Sequence, residues 1–265
     1  MNWFDSHCHL KSFSDKGTLD EILVHAKSNL VNRLTAVGTS LEDWNLYQNL
    51  SQKYSGFVYY SVGLHPCYVD EKFEIQIEQI EPFIGDEIHP VALGEIGLDY
   101  FHLPKDKSSA KALVDFQKVA FSKQLDLAIK YDLPIIVHSR NSFSDCIDIL
   151  EFKGVNWNRV LFHCFSEGIE EIRILNDRGG HASFTGILTY KKNDSLREAA
   201  LKQGLENLIL ETDSPYLTPE PKRGNTNKPG YLAYIGNFIC EKYGIKREEL
   251  AQQTSHNTNK FYNIN

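Results

Sequence analysis

The chain contains no apolar run approaching the roughly 20 residues that a helical membrane span needs, and no basic, apolar, small-residue leader at its amino terminus. A cytoplasmic protein with no membrane among its partners is the expectation. Cysteine is scarce: there are five, an odd number, and Cys8, Cys67, Cys146, Cys164 and Cys240 lie far apart with no Cys-x-x-Cys pair. That spacing argues against a disulfide framework and fits a reducing compartment. Positive charge is short as well. With 28 Lys and Arg against 35 Asp and Glu, the formal net charge is −7, which excludes a broad basic surface for coating nucleic acid. A polyanionic substrate would have to be gripped locally, by bound cations and a few basic side chains. No composition break, linker or low-complexity tract divides the chain, and no isolated apolar patch nominates an oligomer surface.

What is present is a long alternation of short apolar runs with helical patterns. Runs at 4–10, 34–38, 57–64, 90–99, 133–138, 159–165, 181–186 and 208–211 read as strands. Helical patterns fill 19–29, 40–54, 71–83, 109–131, 141–152, 168–176 and 194–202, and two more, at 231–243 and 247–262, finish the chain. Thr18 with Glu21 reads as a capping box, and Ser40 as a second cap. Strands without alternation belong to a parallel sheet covered on both faces. Eight strand–helix units in 265 residues predict a single (β/α)₈ TIM-like barrel spanning 1–265. An open doubly wound sheet is the alternative, and it lacks the glycine-rich phosphate loop expected after strand one.

In such a barrel the carboxyl ends of the strands share one mouth, so ionisable residues there converge. Asp5-Ser6-His7-Cys8-His9 ends strand one, and a period of two sends Asp5, His7 and His9 to one face. Strand three ends at His65, strand four carries Glu95 between glycines and then Asp99, strand five ends at His138, strand six at His163, and strand eight at Asp213 beside Glu211. His25, His89, His102, His181 and His256 fall elsewhere and take a structural or solvent-exposed reading. Cys8 and Cys164 should turn to the opposite face as small buried residues. Imidazoles and carboxylates in this number exceed the needs of one tetrahedral ion. Two divalent ions about 3.5–4 Å apart, bridged by Glu95, would use them, and the mixed donors suit Zn, Mn or Mg without choosing among them.

These residues resemble a known family. The stretches Asp5-Ser6-His7-Cys8-His9-Leu10, Val62-Gly63-Leu64-His65-Pro66, Gly94-Glu95-Ile96-Gly97-Leu98-Asp99-Tyr100, Leu133-Pro134-Ile135-Ile136-Val137-His138-Ser139-Arg140, His163-Cys164-Phe165-Ser166 and Leu210-Glu211-Thr212-Asp213-Ser214-Pro215-Tyr216 look like those of the TatD metal-dependent deoxyribonucleases, within the amidohydrolase-like barrels. The resemblance implies His7, His9, Glu95, His138, His163 and Asp213 as metal ligands and His65 as a contact to substrate phosphate or leaving group. It also implies cleavage of phosphodiester bonds in DNA, from single-stranded 3′ ends, by a metal-activated water. Asp213, Glu95 and His65 would be the catalytic residues, with Asp213 binding metal and orienting or deprotonating that water. Arg140 and Arg223 are candidates for phosphate, Tyr100, Phe101 and Tyr216 for stacking on a splayed base, and Asp5 for orienting an imidazole. The chain departs from the family pattern at Glu167, where glycine is usual, and at Phe101, where tyrosine is common. A hydrolase of small amides, esters or lactones on the same barrel is the nearest alternative, and a non-catalytic scaffold the next.

Overall fold

The computed structural model describes residues 2–264. The strands are β1 (Trp3–Cys8), β2 (Val31–Ala36), β3 (Val58–Val62), β4 (Ala92–Asp99), β5 (Ile135–Arg140), β6 (Val160–Phe162), β7 (His181–Phe184) and β8 (Ile209–Leu210). All are parallel and each pairs with the next in sequence. Helices α1 (Lys11–Asp15), α2 (Leu19–Ser28), α3 (Leu41–Lys53), α4 (Phe73–Glu78), α5 (Ile80–Ile84), α6 (Lys107–Lys130), α7 (Phe143–Lys153), α8 (Ile169–Arg178), α9 (Asp194–Gln203), α10 (Leu232–Tyr243) and α11 (Arg247–Tyr262) cover the outer face. This is the expected (β/α)₈ barrel.

Its seam is unusual. β8 holds only two residues, and the extended segment after it joins β1 through Asp213 N–H donating to His7 O at 2.9 Å and His9 N–H donating to Ser214 O at 2.7 Å. The backbone of three predicted ligands, His7, His9 and Asp213, therefore closes the barrel.

Two apolar clusters account for the packing. The larger lies between strands and helices, around Trp3, Trp44, Tyr60 and Phe121. The smaller joins Phe4, Ala92, Ile136, Leu161 and Ile209 with Phe261 and Tyr262 of α11. Strands that are not neighbours, such as β1 and β6, can meet only across the barrel interior, so this cluster fills the lower lumen. Tyr262 anchors the plug, its hydroxyl donating to Ser6 O at 2.7 Å. Polar side chains are thus pushed to the opposite end.

Some local expectations change. The pattern at 71–83 breaks into α4 and α5, and α1 is too short for its periodicity to show. β2 begins three residues before the predicted start, because Asn32 and Arg33 are half-buried strand residues rather than loop. Thr18 does not cap α2; its hydroxyl donates back to Phe13 O at 3.3 Å. At α3 the Asp43 carboxylate accepts from the amides of Thr39 and Ser40, which completes the predicted start there. Asp5 does not reach an imidazole. It is fully buried and accepts from Thr212 N–H at 2.8 Å and the Thr212 hydroxyl at 2.6 Å, holding the chain just before Asp213. β1 slips register between Asp5 and Cys8, and that slip breaks the period of two. All five cysteines are free thiols.

Gly97 shows how tightly the upper barrel is built. Its φ is +144°, it stands opposite His138, and a Cβ there would lie 2.0 Å from His138 O. Neither the conformation nor the space admits a side chain. Gly97→Ala is expected to lose more than about 2 kcal/mol of folding stability, measured as a drop in urea midpoint, and to prise β4 from β5 at His138.

Candidate metal centre

The mouth gathers five histidines and the Asp213 carboxylate around Glu95, which is 2% exposed. The two oxygens of this carboxylate face different partners. Oε2 lies 3.4 Å from His7 Nε2 and 3.6 Å from His9 Nε2, and Asp213 Oδ1 sits 3.7 and 3.4 Å from the same two nitrogens. Oε1 lies 2.6 Å from His138 Nδ1, 2.7 Å from His163 Nε2 and 3.2 Å from His65 Nε2. Two donor groups therefore share one carboxylate, as a bridge between two cations requires. Lone pairs converging this closely need a positive charge between them, and the imidazole and carboxylate donors fit a zinc-, manganese- or magnesium-type dication.

Hydrogen bonds on the far side of His9, His138 and His65 set which nitrogen is free. His9 Nδ1 lies 3.1 Å from Val37 O, so it carries the proton and leaves Nε2 as a lone pair. His138 Nε2 faces Asp99 Oδ2 at 3.2 Å, which frees Nδ1 toward Glu95. His65 is the opposite case. Its Nδ1 accepts from Cys67 N–H at 3.0 Å, so a neutral ring bears its proton on Nε2 and cannot donate a lone pair there. His163 Nδ1 is 3.5 Å from Glu211 Oε1, and Glu211 is itself fixed by Cys164 N–H and the Ser183 hydroxyl.

Burial and charge pull against each other throughout. Burial pushes His65 down to about 4, the Glu95 charge opposing and His138 assisting. Burial also lowers His9, but its hydrogen bond to Asp213 and the charge of Glu95 outweigh this and raise it to about 9. Glu95 is raised by burial and brought well below the carboxylate range by His163, His65 and His138. Asp213, subject to burial in the same sense, is held low by His9 and His7.

Asp213 follows β8 with φ +51°, a left-handed turn that aims its carboxylate back at β1. Of the predicted substrate contacts, Arg140 stacks its guanidinium 4.1 Å over Phe101, Arg223 stacks 4.1 Å over Tyr190, and Tyr216 is exposed with its ring 6.3 Å from His9. Tyr100 is not with them. Its hydroxyl donates to Asp145 of α7 at 2.7 Å, on the outside of the barrel. Glu167 feels burial and the charge of Glu171, which raise it, so its neighbour is α8. Asp99, expected at the mouth, orients His138. Two contacts escaped the sequence reading: exposed His102 reaches Asp99 at 2.8 Å, and exposed Tyr68 lies 6.1 Å from His65. Tyr68 carried only the faint signal of an aromatic three residues after His65.

The family described as TatD related DNase matches residues 4–263, almost the whole chain. The chain belongs to the TatD family. The TatD relatives include YabD of Bacillus subtilis (strain 168), an uncharacterized metal-dependent hydrolase 32% identical over 262 residues, covering 99% of both chains. YcfH of Escherichia coli (strain K12), named in the same words, is 32% identical over 263 residues, covering 98% of this chain and 95% of its own. Among solved structures, the TatD homolog YJJV of Escherichia coli K12 superposes with a TM-score of 0.88 at 27% identity, covering 99% of this chain and 98% of that one.

Two outcomes are expected of this TatD centre. Asp99→Asn should weaken divalent-ion binding at the His138 group by about 10- to 100-fold, read by competition with a chromophoric chelator. An incoming dication must also displace the proton that His9 holds below its raised value. Affinity should therefore climb with pH until about 9, with proton release seen by calorimetry in buffers of different ionisation enthalpy.

Proposed function

We propose that residues 1–265 act as one barrel unit, a divalent-metal-dependent hydrolase that cleaves phosphodiester bonds at single-stranded 3′ ends of DNA. The observation that carries this reading is the division of Glu95, one oxygen toward His7 and His9 and the other toward His138 and His163. The family match and the metal-dependent hydrolase relatives support it. Bound in the two groups, a pair of dications would neutralise charge developing on a phosphoryl group and acidify a water.

The chain's own residues then divide the task. His7 and His9 with Asp213 would hold one ion and His138 and His163 the other, with one Glu95 oxygen facing each group. Asp213 stays anionic at neutral pH because His9 and His7 hold its carboxyl low, so it can accept a proton from an attacking water. His65 stays neutral and presents an Nε2 proton, which suits donation to a phosphate oxygen or a leaving alkoxide. The stacked Arg140 and Arg223 supply cationic forks at the rim, and the exposed rings of Phe101, Tyr216 and Tyr68 offer faces for a splayed base. A chain with net charge −7 would have to hold DNA by its ends at such a site, not along its length.

The test is 5′-labelled single-stranded DNA incubated with protein loaded in turn with Mg²⁺, Mn²⁺ or Zn²⁺. The expected result is a ladder shortening from the 3′ end, slowed about 10²- to 10⁴-fold by Asp213→Asn. Equal cleavage by wild type and variant would remove Asp213 from the mechanism, and no cleavage with any of the three ions would sink the nuclease reading.

A further inference from the structure

One donor cluster at the rim is left over by this chemistry. Cys67 Sγ lies 3.5 Å from Asp99 Oδ2 and 3.8 Å from His102 Nδ1, and the last two atoms are 2.8 Å apart. A tetrahedral zinc ion bound to one sulfur, one nitrogen and one oxygen sets donor–donor edges of about 3.3–3.6 Å, which these three atoms meet with adjustments of up to about half an ångström. The scaffold beneath them is fixed. Gln117 of α6, itself buried, accepts from Asp99 N–H at 3.0 Å and donates to Pro66 O at 3.2 Å and Asp99 O at 3.3 Å, clamping the turn that carries Cys67 to the end of β4. Asp99 Oδ1 accepts from the amides of Phe101 and His102, both at 2.9 Å, which folds the chain back and delivers the His102 ring. Asp99 is 1% exposed, whereas Cys67 and His102 open to solvent, so an ion has an entry path.

We propose that Cys67, Asp99 and His102 form a further cation site, selective for zinc-type ions over magnesium. A thiolate and an imidazole are soft and borderline donors that a hard cation does not favour. On binding, the Cys67 thiol releases its proton to water as the sulfur–metal bond forms. His102 moves its ring proton from Nδ1 to the solvent-facing Nε2. Three protein donors leave one tetrahedral position open to water or to an anionic group at the mouth. Asp99 Oδ2 also faces His138 Nε2 at 3.2 Å, so this ion would sit one carboxylate away from the second donor group.

Cobalt titration of the whole protein in excess Mg²⁺ tests the site. The expected result is a near-ultraviolet sulfur-to-cobalt charge-transfer band that Cys67→Ser abolishes and Glu95→Gln leaves in place, with binding weakened at least about 10-fold by His102→Ala. Wild type should also retain one zinc more per chain than Cys67→Ser by elemental analysis. No band in wild type, a band surviving in Cys67→Ser, or equal zinc in the two proteins overturns the proposal. Cys67 is exposed, so its serine variant should fold, and unchanged circular dichroism checks this. Because neither readout involves DNA cleavage, and both compare variants at Cys67, failure of this site and failure of the nuclease reading would be told apart.

Discussion

A buried carboxylate at the centre of the mouth governs this structure. Taking the Glu95 anion out of water would cost several kcal/mol were it not surrounded by groups that favour its charge. Five imidazoles from four strand ends supply those surroundings, and burial depresses some of them while Glu95 and Asp213 lift others. The barrel is the device that permits this. It seals the lower lumen with Phe4, Leu161, Phe261 and Tyr262 and leaves polar side chains one open end at which to meet.

Much of that arrangement was legible. His7, His9, His138 and His163 stand at strand ends, and a parallel barrel admits only one place for such residues to point. The close approach of Gly97 to His138, by contrast, shows only in the folded barrel. What failed were inferences that relied on strict alternation. The register slip in β1 turned Asp5 from the imidazoles to Thr212, where it holds the segment after β8 instead. Past the end of β4 the chain folds back on Asp99, sending Tyr100 outward, contrary to its reading as a stacking ring, and laying the exposed His102 against Asp99. Such turns are set by a side chain accepting from amides two and three residues on, a local competition that periodicity cannot register.

The rings also differ in what they can do, and sequence spacing is silent about this. His9 and His138 offer lone pairs because a carbonyl or carboxylate takes the proton behind them, whereas His65 offers a proton because an amide stands behind it. One residue type thus serves two roles within a few ångströms. The distinction lies wholly in the groups that face away from the mouth.

The seam between β8 and β1 bears on how the protein is made. The first and last members of the proposed ligand set, His7 and Asp213, are bonded backbone to backbone across it, though nearly the whole chain separates them. During synthesis the amino-terminal histidines emerge early, yet the group they belong to cannot assemble until the segment after β8 has left the ribosome. A nascent chain therefore lacks the group of His7, His9 and Asp213 until then, although Glu95, His138 and His163 are already made. Closure of the barrel and completion of the centre become a single late event.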